Sequence, residues 1–412
     1  MSMENFNTYL QKYAELIVKT GVNVQKGHTV VVNIDVEQAE LARLIVKEAY
    51  KLGASNVSVQ WSDDVVSREF FANATEENLT TIPQYKIDEM QSWVDEGASR
   101  ISVVSKNPDA FAGIDSDRIA KYQLASGKAM FPLREATQAN KLSWTVVAAA
   151  GKDWAAKVFP DLESNEAQVD ALWDQIFKTT RIYSENPIAA WDDHDKTLCA
   201  KADELNAEQF DSLHYTAPGT DLIIGLPKNH RWEGAGSDNV RGEHFMANMP
   251  TEEVFTAADN RRIDGVVSST KPLSYAGTTI EGMVFKFENG RVVETTAEKG
   301  EDVLLKLLET DEGARSIGEV ALVPNQSPIS QSGIVFYNTL FDENASNHLA
   351  LGSAYAFNVE GGTEMTQEEL AAAGLNRSNT HVDFMIGSAD MNIDGIRADG
   401  TRQPIFRNGE WA

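Results

Sequence analysis

Alternating helical and extended patterns occupy the first 150 residues of the chain. Apolar residues recur at helical spacing over Tyr9–Thr20 and again over Ala39–Leu52. Runs typical of strands lie between and after these segments, at Thr29–Ile34, Asn56–Trp61, Arg100–Ser105 and Ser143–Ala150. A strand, a helix and a strand joined by short connections predict right-handed βαβ units and a parallel sheet. We therefore expect an amino-terminal α/β domain.

The pattern changes after about Asp221, where turn dipeptides become frequent. Three of them separate extended-looking segments: Asn289-Gly290, Asp399-Gly400 and Asn408-Gly409. These dipeptides favour the tight turns of β-hairpins. A helical run at Glu301–Leu308 and an apolar run at Glu319–Val323 add a helix and a strand. The second half is therefore predicted to be an α+β domain rich in hairpins.

Length and composition agree with two domains. A chain of 412 residues exceeds what one hydrophobic core usually organises, and 42% hydrophobic residues are enough to bury sizeable cores. The charged stretch Trp191–Asn206 suits an exposed connection. We therefore predict domains at 1–200 and 201–412.

Charge and cysteine content restrict the class of partner and the compartment. The 36 Lys and Arg against 62 Asp and Glu give a formal charge of −26, which disfavours nucleic acid and membrane surfaces. The single cysteine, Cys199, excludes an intramolecular disulfide and a cysteine-rich zinc site.

Residues 1–7 lack the basic and apolar segments of a signal peptide, and no stretch approaches the about 18 continuous apolar residues of a membrane-spanning helix. Gly234-Ala-Gly lacks the third glycine of a dinucleotide fingerprint. We expect a cytoplasmic protein without a dinucleotide cofactor.

The best indication of function is the pair His381 and Asp383 in Thr380-His-Val-Asp383. If this segment is extended, side chains two residues apart share a face, so both can reach one cation. Imidazole nitrogen and carboxylate oxygen are ordinary ligands of zinc, cobalt or manganese. An isolated His-x-Asp is more often a hydrogen-bonded surface pair, so further ligands are required.

Further candidates lie in apolar or turn contexts. Two adjacent glutamates, Glu252 and Glu253, precede an apolar pair, and alternation would turn one carboxylate inward and the other to solvent. Glu319 opens an apolar strand, where a buried charge needs a partner such as a cation. His348 lies in a segment rich in small and apolar residues. Taken singly, each glutamate also fits a purely structural role, as the start of an element or a solvated strand end.

Several motifs together carry a family resemblance. They are Met249-Pro-Thr-Glu-Glu-Val-Phe-Thr-Ala257, Lys271-Pro-Leu-Ser-Tyr275, Ala297-Glu-Lys-Gly-Glu-Asp302, Ile317-Gly-Glu-Val-Ala321, His348–Tyr355, Thr380-His-Val-Asp383 and Asp394-Gly-Ile-Arg-Ala-Asp-Gly-Thr401. In this order, and over the whole chain, the sequence resembles the metallo-aminopeptidases of the aminopeptidase T and aminopeptidase S type. The resemblance implies an exopeptidase that uses two divalent metal ions and forms a homodimer around a large internal cavity.

The resemblance also implies a set of metal-site residues, which are Glu253, Glu319, His348, Tyr355, His381 and Asp383. Two divalent cations of Zn, Co, Mn or Mg bring four positive charges, which three carboxylates and one hydroxide would balance. If residues 348–355 are helical, His348 and Tyr355 share a face but lie about 10 Å apart along the axis, although Gly352 interrupts the pattern. Tyr355 could ligate a metal or hydrogen-bond the reaction intermediate.

The sequence therefore predicts a metal-dependent aminopeptidase acting on peptides with a free amino terminus. We expect Glu253, Glu319 and Tyr355 to take part in catalysis, with Glu252 as a third candidate for the proton shuttle. A dinuclear phosphoesterase would use similar ligands, but the negative chain disfavours an anionic substrate. A metal-stabilised binding protein would fill every coordination position with protein. Six residues around two ions leave positions for water, which favours catalysis.

Overall fold

The computed structural model describes residues 4–276 and 278–412, which form two compact units. The first unit consists of Met1–His194 and Gly236–Pro250, and the second of Asp195–Ala235 and Thr251–Ala412. The predicted domains, 1–200 and 201–412, stay a prediction, and the compact units differ from them in that residues 236–250 belong to the first unit. The structure groups that segment with the first unit because Asn248–Met249 adds a strand to its sheet.

The helices are α1 (Phe6–Leu16), α2 (Ala39–Lys51), α3 (Asp64–Asn73), α4 (Glu76–Thr80), α5 (Gln84–Asp95), α6 (Ser116–Ala129), α7 (Phe131–Gln138), α8 (Lys152–Val158), α9 (Asn165–Thr179), α10 (Pro187–Glu208), α11 (Glu301–Leu308), α12 (Pro328–Gln331), α13 (Thr339–Asp342) and α14 (Gln367–Ala373). Short 3-10 helices lie at Val36–Gln38, Gly313–Arg315, Glu343–Ala345, Ala356–Asn358 and Gly362–Glu364, and a π-helical turn at Ile17–Gly21. No helix of the described residues is both long and apolar enough to cross a lipid bilayer.

The strands are β1 (Thr29–Asp35), β2 (Asn56–Ser62), β3 (Ser99–Val104), β4 (Trp144–Ala148), β5 (Ser212–Ala217), β6 (Thr220–Gly225), β7 (Glu233–Gly234), β8 (Gly236–Asp238), β9 (His244–Met246), β10 (Asn248–Met249), β11 (Val254–Ala257), β12 (Ile263–Ser268), β13 (Leu273–Tyr275), β14 (Thr278–Ile280), β15 (Val284–Glu288), β16 (Arg291–Thr296), β17 (Ile317–Leu322), β18 (His348–Gly352), β19 (His381–Met385), β20 (Asn392–Ile396), β21 (Arg402–Arg407) and β22 (Glu410–Trp411).

The first unit is built on a parallel sheet, as predicted. Its strands lie in the order β2-β1-β3-β4-β10, and every neighbouring pair is parallel. Helix α2 connects β1 to β2 and buries Leu41, Ala42 and Ile45, which recur at helical spacing. Val30, Val31 and Val32 of β1 are fully buried, because helices cover both faces of a parallel sheet. The predicted bounds of β1 to β4 agree with the structure to within two residues.

The second unit contains two larger antiparallel sheets. One has the strand order β19-β18-β17-β11-β7 and the other the order β16-β15-β12-β6-β5-β20-β21-β22. A single hydrophobic core takes side chains from both, and Phe285 of β15 lies 4.8 Å from Phe384 of β19, ring centroid to ring centroid. The three predicted turn dipeptides join β15 to β16, β20 to β21 and β21 to β22. The α/β fold with an antiparallel, hairpin-rich second half is confirmed.

Candidate metal centre

The sheet β19-β18-β17-β11-β7 of the second unit has two chemically different faces along four of its strands, β11, β17, β18 and β19. One face contributes a set of apolar side chains to the core of the second unit: Val254, Val320, Leu322, Leu349, Leu351, Val382 and Phe384. A buried polar residue on this face is Thr256, opposite Val320, and its hydroxyl group donates to the carbonyl oxygen of Arg231 at 2.7 Å. Because side chains alternate along a strand, the residues between them point to the opposite face. That face, called here the ligand face, carries Glu319, His348, His381 and Asp383, with Glu253 immediately before β11.

The strand register brings these residues together. Glu319 lies opposite Ala350, and Ala350 lies opposite Asp383. His348 lies opposite Ala321, and His381 lies opposite Gly352. Residues directly opposite each other in an antiparallel pair share a face, so small side chains separate the large polar ones. The ligand face therefore has room above the sheet between its imidazoles and carboxylates.

Two groups of three side chains could each hold a metal ion, and they share one residue. The first group is Glu253, Glu319 and His348, and the second is Glu319, His381 and Asp383. Within each group one ligand atom per residue lies within 4.8 Å of the others. Glu319 Oε1 lies 3.8 Å from His348 Nε2, and Glu319 Oε2 lies 3.8 Å from His381 Nε2. The Glu319 carboxylate therefore directs one oxygen to each group, which suits a carboxylate that bridges two cations.

Backbone carbonyls fix both imidazole rings. His348 Nδ1 donates to the carbonyl oxygen of Glu343 at 2.9 Å, with that of Ser346 at 3.2 Å. His381 Nδ1 donates to the carbonyl oxygen of Ser353 at 2.7 Å. Because a carbonyl only accepts, the proton of each neutral ring lies on Nδ1, and Nε2 presents its lone pair to the carboxylates. A carbonyl behind the ring is the usual support of a metal-binding histidine.

The residues of each group fit a divalent cation. Glu253 Oε2 and Asp383 Oδ1 are buried and receive no hydrogen bond in the described part of the structure. Glu253 Oε2 lies 2.9 Å from His348 Nε2, and Asp383 Oδ1 lies 3.5 Å from His381 Nε2. Acceptor atoms that face each other away from water are unfavourable unless a proton or a cation lies between them. Nitrogen and carboxylate oxygen together suit zinc, cobalt or manganese.

The pKa shifts describe what these groups do without a cation. Burial lowers the pKa of His348, but Glu253 and the other carboxylates outweigh it and raise the value to about 9. Burial also lowers the pKa of His381, and Asp383 and Glu319 raise it to about 10. Burial raises the pKa of Glu319 to about 8, although His381 opposes the shift. The metal-free site therefore holds protons that a cation would displace.

Tyr355 lies beside the two groups, on a segment that is not helical. Residues 348–352 form β18, and the alternation of apolar Leu349 and Leu351 with His348 is a strand pattern. The helical alternative considered for 348–355 is therefore wrong. Gly352 has φ +105°, and a Cβ there would lie 2.2 Å from the Thr380 carbonyl oxygen, so glycine is required where the chain turns. The Tyr355 ring is half-buried, and its centroid lies 5.1 Å from that of the His381 ring. Burial, as the main cause, and the negative charge of Glu319, as the second, raise the pKa of the Tyr355 hydroxyl group well above its usual value.

Sequence reasoning missed Glu343. This residue begins the 3-10 helix Glu343–Ala345, its side chain is buried, and its carboxyl group contacts that of Asp383. Burial and then Asp383 raise the pKa of Glu343 well above its usual range. The signal in the sequence is weak: Glu343 stands five residues before His348, in a run without lysine or arginine.

The prediction that one of Glu252 and Glu253 faces solvent is wrong. Each residue is only 7% exposed. They precede β11, where the chain is not yet in a strand, and the Glu252 N–H donates to Asn344 Oδ1 at 2.7 Å. Strand alternation therefore does not apply to this pair, and tertiary contacts bury both.

Comparison with known proteins agrees with this geometry. The family model described as Thermophilic metalloprotease (M29) matches residues 6–411. The chain is 60% identical over 411 residues to Aminopeptidase PepS of Streptococcus thermophilus and 57% identical over 410 residues to Aminopeptidase AmpS of Bacillus subtilis, with 100% of each chain covered. The solved structure of wild-type AmpT from Thermus thermophilus is 43% identical in sequence and has a TM-score of 0.92. The match covers 99% of this chain and 100% of that chain. The chain therefore belongs to the thermophilic metalloprotease (M29) family and is a metallo-aminopeptidase.

Proposed function

We propose that the protein removes amino-terminal residues from peptides with a free amino terminus, using two divalent ions that share Glu319. The observation that supports this most directly is the pair of three-residue groups with Glu319 in common. Glu253, Glu319 and His348 would hold one ion, and Glu319, His381 and Asp383 the other. Three protein ligands per ion leave coordination positions for water and substrate, as catalytic sites require.

When bound, such an ion pair supplies Lewis acidity and makes water nucleophilic near neutral pH. The histidines of both groups favour zinc or cobalt over magnesium, which prefers oxygen ligands. The carboxylates of Glu253, Glu319 and Asp383 would supply three negative charges against the four positive charges of the ions. Each ring is already oriented by a backbone carbonyl, so little reorganisation is needed on binding.

We assign the proton shuttle to Glu343. The earlier candidates Glu253 and Glu319 belong to the ion-holding groups. Glu343 belongs to neither group, is buried, and has its carboxyl group against Asp383. It would take a proton from the attacking water and give it to the amine that leaves. Burial and the neighbouring Asp383 raise the pKa of Glu343, so the carboxyl group can hold the proton between the two steps.

Tyr355 would donate a hydrogen bond from its hydroxyl group to the carbonyl oxygen of the substrate as that oxygen becomes negative. The raised pKa of Tyr355 keeps the phenol protonated, so it is a hydrogen-bond donor. Its ring lies next to that of His381, at the edge of the ligand face. A role of Tyr355 as a metal ligand, which the resemblance implies, stays a prediction.

We also propose that the protein acts in the cytoplasm as a homodimer. The chain contains one cysteine and a charge of −26, which suit a reducing compartment and a dissolved protein. The dimer rests on the family resemblance. Sedimentation of the purified protein would test it, and a monomer at micromolar concentration would contradict it.

Hydrolysis of leucyl- and arginyl-p-nitroanilide, with and without a chelator, tests the function. We expect chelation to abolish hydrolysis and zinc or cobalt to restore it, with two ions per chain by elemental analysis. Hydrolysis of p-nitrophenyl phosphate instead would identify a phosphoesterase. Tight metal binding without hydrolysis of either substrate would identify a metal-stabilised binding protein.

Replacement of Glu343 by glutamine tests the proton shuttle. The variant keeps the volume but cannot exchange a proton, so kcat should fall by about 10²- to 10⁴-fold. The ion content should stay at the wild-type value, because Glu343 lies outside both groups. A wild-type kcat, or a loss of ions equal to the loss of activity, would exclude the role.

A further inference from the structure

Three aromatic side chains form a small cluster next to the ligand face. Tyr355 and Phe357 are stacked, with ring centroids 5.1 Å apart and an interplanar angle of 18°. Phe255 packs edge-on, with its centroid 6.1 Å from each of the other two. We call these three residues the aromatic wall.

The wall adjoins the candidate metal ligands at two points. Phe255 lies opposite Ala321, and Ala257, two residues further along β11, lies opposite Glu319, so Phe255 is on the ligand face. Ala321 in turn lies opposite His348, so only an alanine separates Phe255 from a metal-binding imidazole along this row of the sheet. At the other end of the wall, the Tyr355 ring lies 5.1 Å from the His381 ring.

Two rings of the wall, Phe255 and Phe357, are partly exposed and lie outside the hydrophobic core of the second unit. Val254 is fully buried in the core, whereas its neighbour Phe255 is half-buried on the opposite side. Phe357 is also half-buried, and among the described residues neither phenylalanine belongs to the hydrophobic core of this unit. Clustered, partly exposed aromatic rings beside a polar site are typical of a surface that receives an apolar ligand group.

We propose that the aromatic wall binds the apolar side chain of the substrate's amino-terminal residue, an inference that rests on the proposed function. With its amine and scissile carbonyl held at the ligand face, that residue would lie beside His348 and His381, the two imidazoles that the wall adjoins. A side chain that extends from this point toward β11 meets the rings of Tyr355, Phe357 and Phe255. Removal of water from both surfaces would favour leucine or phenylalanine over alanine at the amino terminus.

The test is the ratio of kcat/KM for leucyl- to alanyl-p-nitroanilide, and for phenylalanyl- to alanyl-p-nitroanilide. Both ratios should fall by about 10-fold or more in Phe255→Ala and in Phe357→Ala, because the lost contact is worth that much in a hydrophobic pocket. Phe255→Leu should restore most of the leucyl ratio. Tyr85→Ala, which removes an aromatic ring 67% exposed on helix α5, is the matched control and should leave both ratios unchanged.

The ratio within one variant does not depend on how much of the protein is folded or loaded with metal, so it remains valid if a variant is partly inactive. Wild-type ratios in both alanine variants would overturn the proposal. A loss of selectivity for Ala-Leu over Ala-Ala, with the anilide ratios unchanged, would also overturn it, because the wall would then contact the second residue. Failure of the wild-type protein to hydrolyse any of these substrates would instead contradict the proposed function.

Discussion

The two faces of β17, β18 and β19 differ in chemistry although the same strands form both. Leu349 and Leu351 are buried on the core face, where apolar contact alone stabilises them. His348, one residue away, is equally buried on the ligand face, but its surroundings are carboxylates. Burial of a side chain therefore has opposite effects on the stability of the fold on the two faces. On the core face it contributes stability, and on the ligand face it leaves charges that need a cation or protons.

This difference explains why this sheet can have two buried faces although one of them carries few apolar side chains. Glu253, Glu319 and Asp383 are each less than 10% exposed. Buried carboxylates without partners are rarely retained for stability, and they are frequent at functional sites. The comparison predicts that substitutions on the ligand face change chemistry and metal content, whereas substitutions on the core face change stability.

The largest effect is expected from Glu319→Gln, which keeps the side-chain volume but removes the carboxylate common to both groups. Because both of the proposed ions would lose a ligand, we expect kcat/KM to fall by well over about 10²-fold, more than the loss of a residue that only supports a ligand causes. Elemental analysis should show fewer than two ions per chain.

Glu281→Gln is the matched control for Glu319→Gln. Glu281 is a surface glutamate that pairs with Lys299 at 2.8 Å, so its replacement should leave activity and metal content at wild-type values. Full activity of Glu319→Gln, with metal present, would disprove the shared-ligand assignment.

The contrasting substitution on the core face is Leu349→Ala. Leu349 is fully buried, so the free energy of unfolding should fall by about 2 to 5 kcal/mol. The folded fraction should still bind the same number of ions per chain, because the residue points away from the ligand face. Urea unfolding in the presence of a chelator measures the first quantity, and elemental analysis of the folded protein the second.

Glu319→Gln should behave in the opposite way in the same unfolding experiment. With a chelator present at pH 9, we expect it to be at least as stable as the wild-type protein, because it removes a carboxylate whose burial is unfavourable. If Glu319→Gln proved as destabilising as Leu349→Ala, the two faces would not differ in the way described.

The sequence predicted β1 to β4 and the hairpins at three turn dipeptides of the second unit, because each is a local pattern. The run Thr29–Ile34 is β-branched enough to indicate a buried strand by itself, and turn dipeptides such as Asn289-Gly290 indicate hairpins. His381 and Asp383 were expected to share a strand face, and both lie on β19 facing the same side. These predictions needed only the alternation of side chains along one strand.

Features that depend on pairing between distant strands could not be predicted. The approach of Glu253 to His348 requires the register of β11, β17 and β18, including the irregularity between Ile317 and Glu319. The burial of Glu343 and its contact with Asp383 likewise depend on tertiary packing. The predicted set of metal-site residues therefore came from family resemblance, which carries such long-range information, and it stays a prediction.

The smallest expected effect concerns pH and sharpens the view that protons replace cations on the ligand face. The pKa values of His348, about 9, and His381, about 10, are raised above those of the unfolded chain, so in the metal-free protein their protons stabilise the folded state. This contribution is fully present below about pH 6.5 and is lost as pH rises through 9 and 10. Glu319, with a raised pKa of about 8, acts in the same direction, losing its contribution between about pH 4.3 and 8.

Deprotonation of these side chains at higher pH also frees them to bind metal. The melting temperature of the zinc-loaded protein should therefore exceed that of the metal-free protein by a margin that widens from pH 6 to pH 9. A margin that stays constant or narrows over this range would show that the buried imidazoles are not the groups that exchange protons for metal.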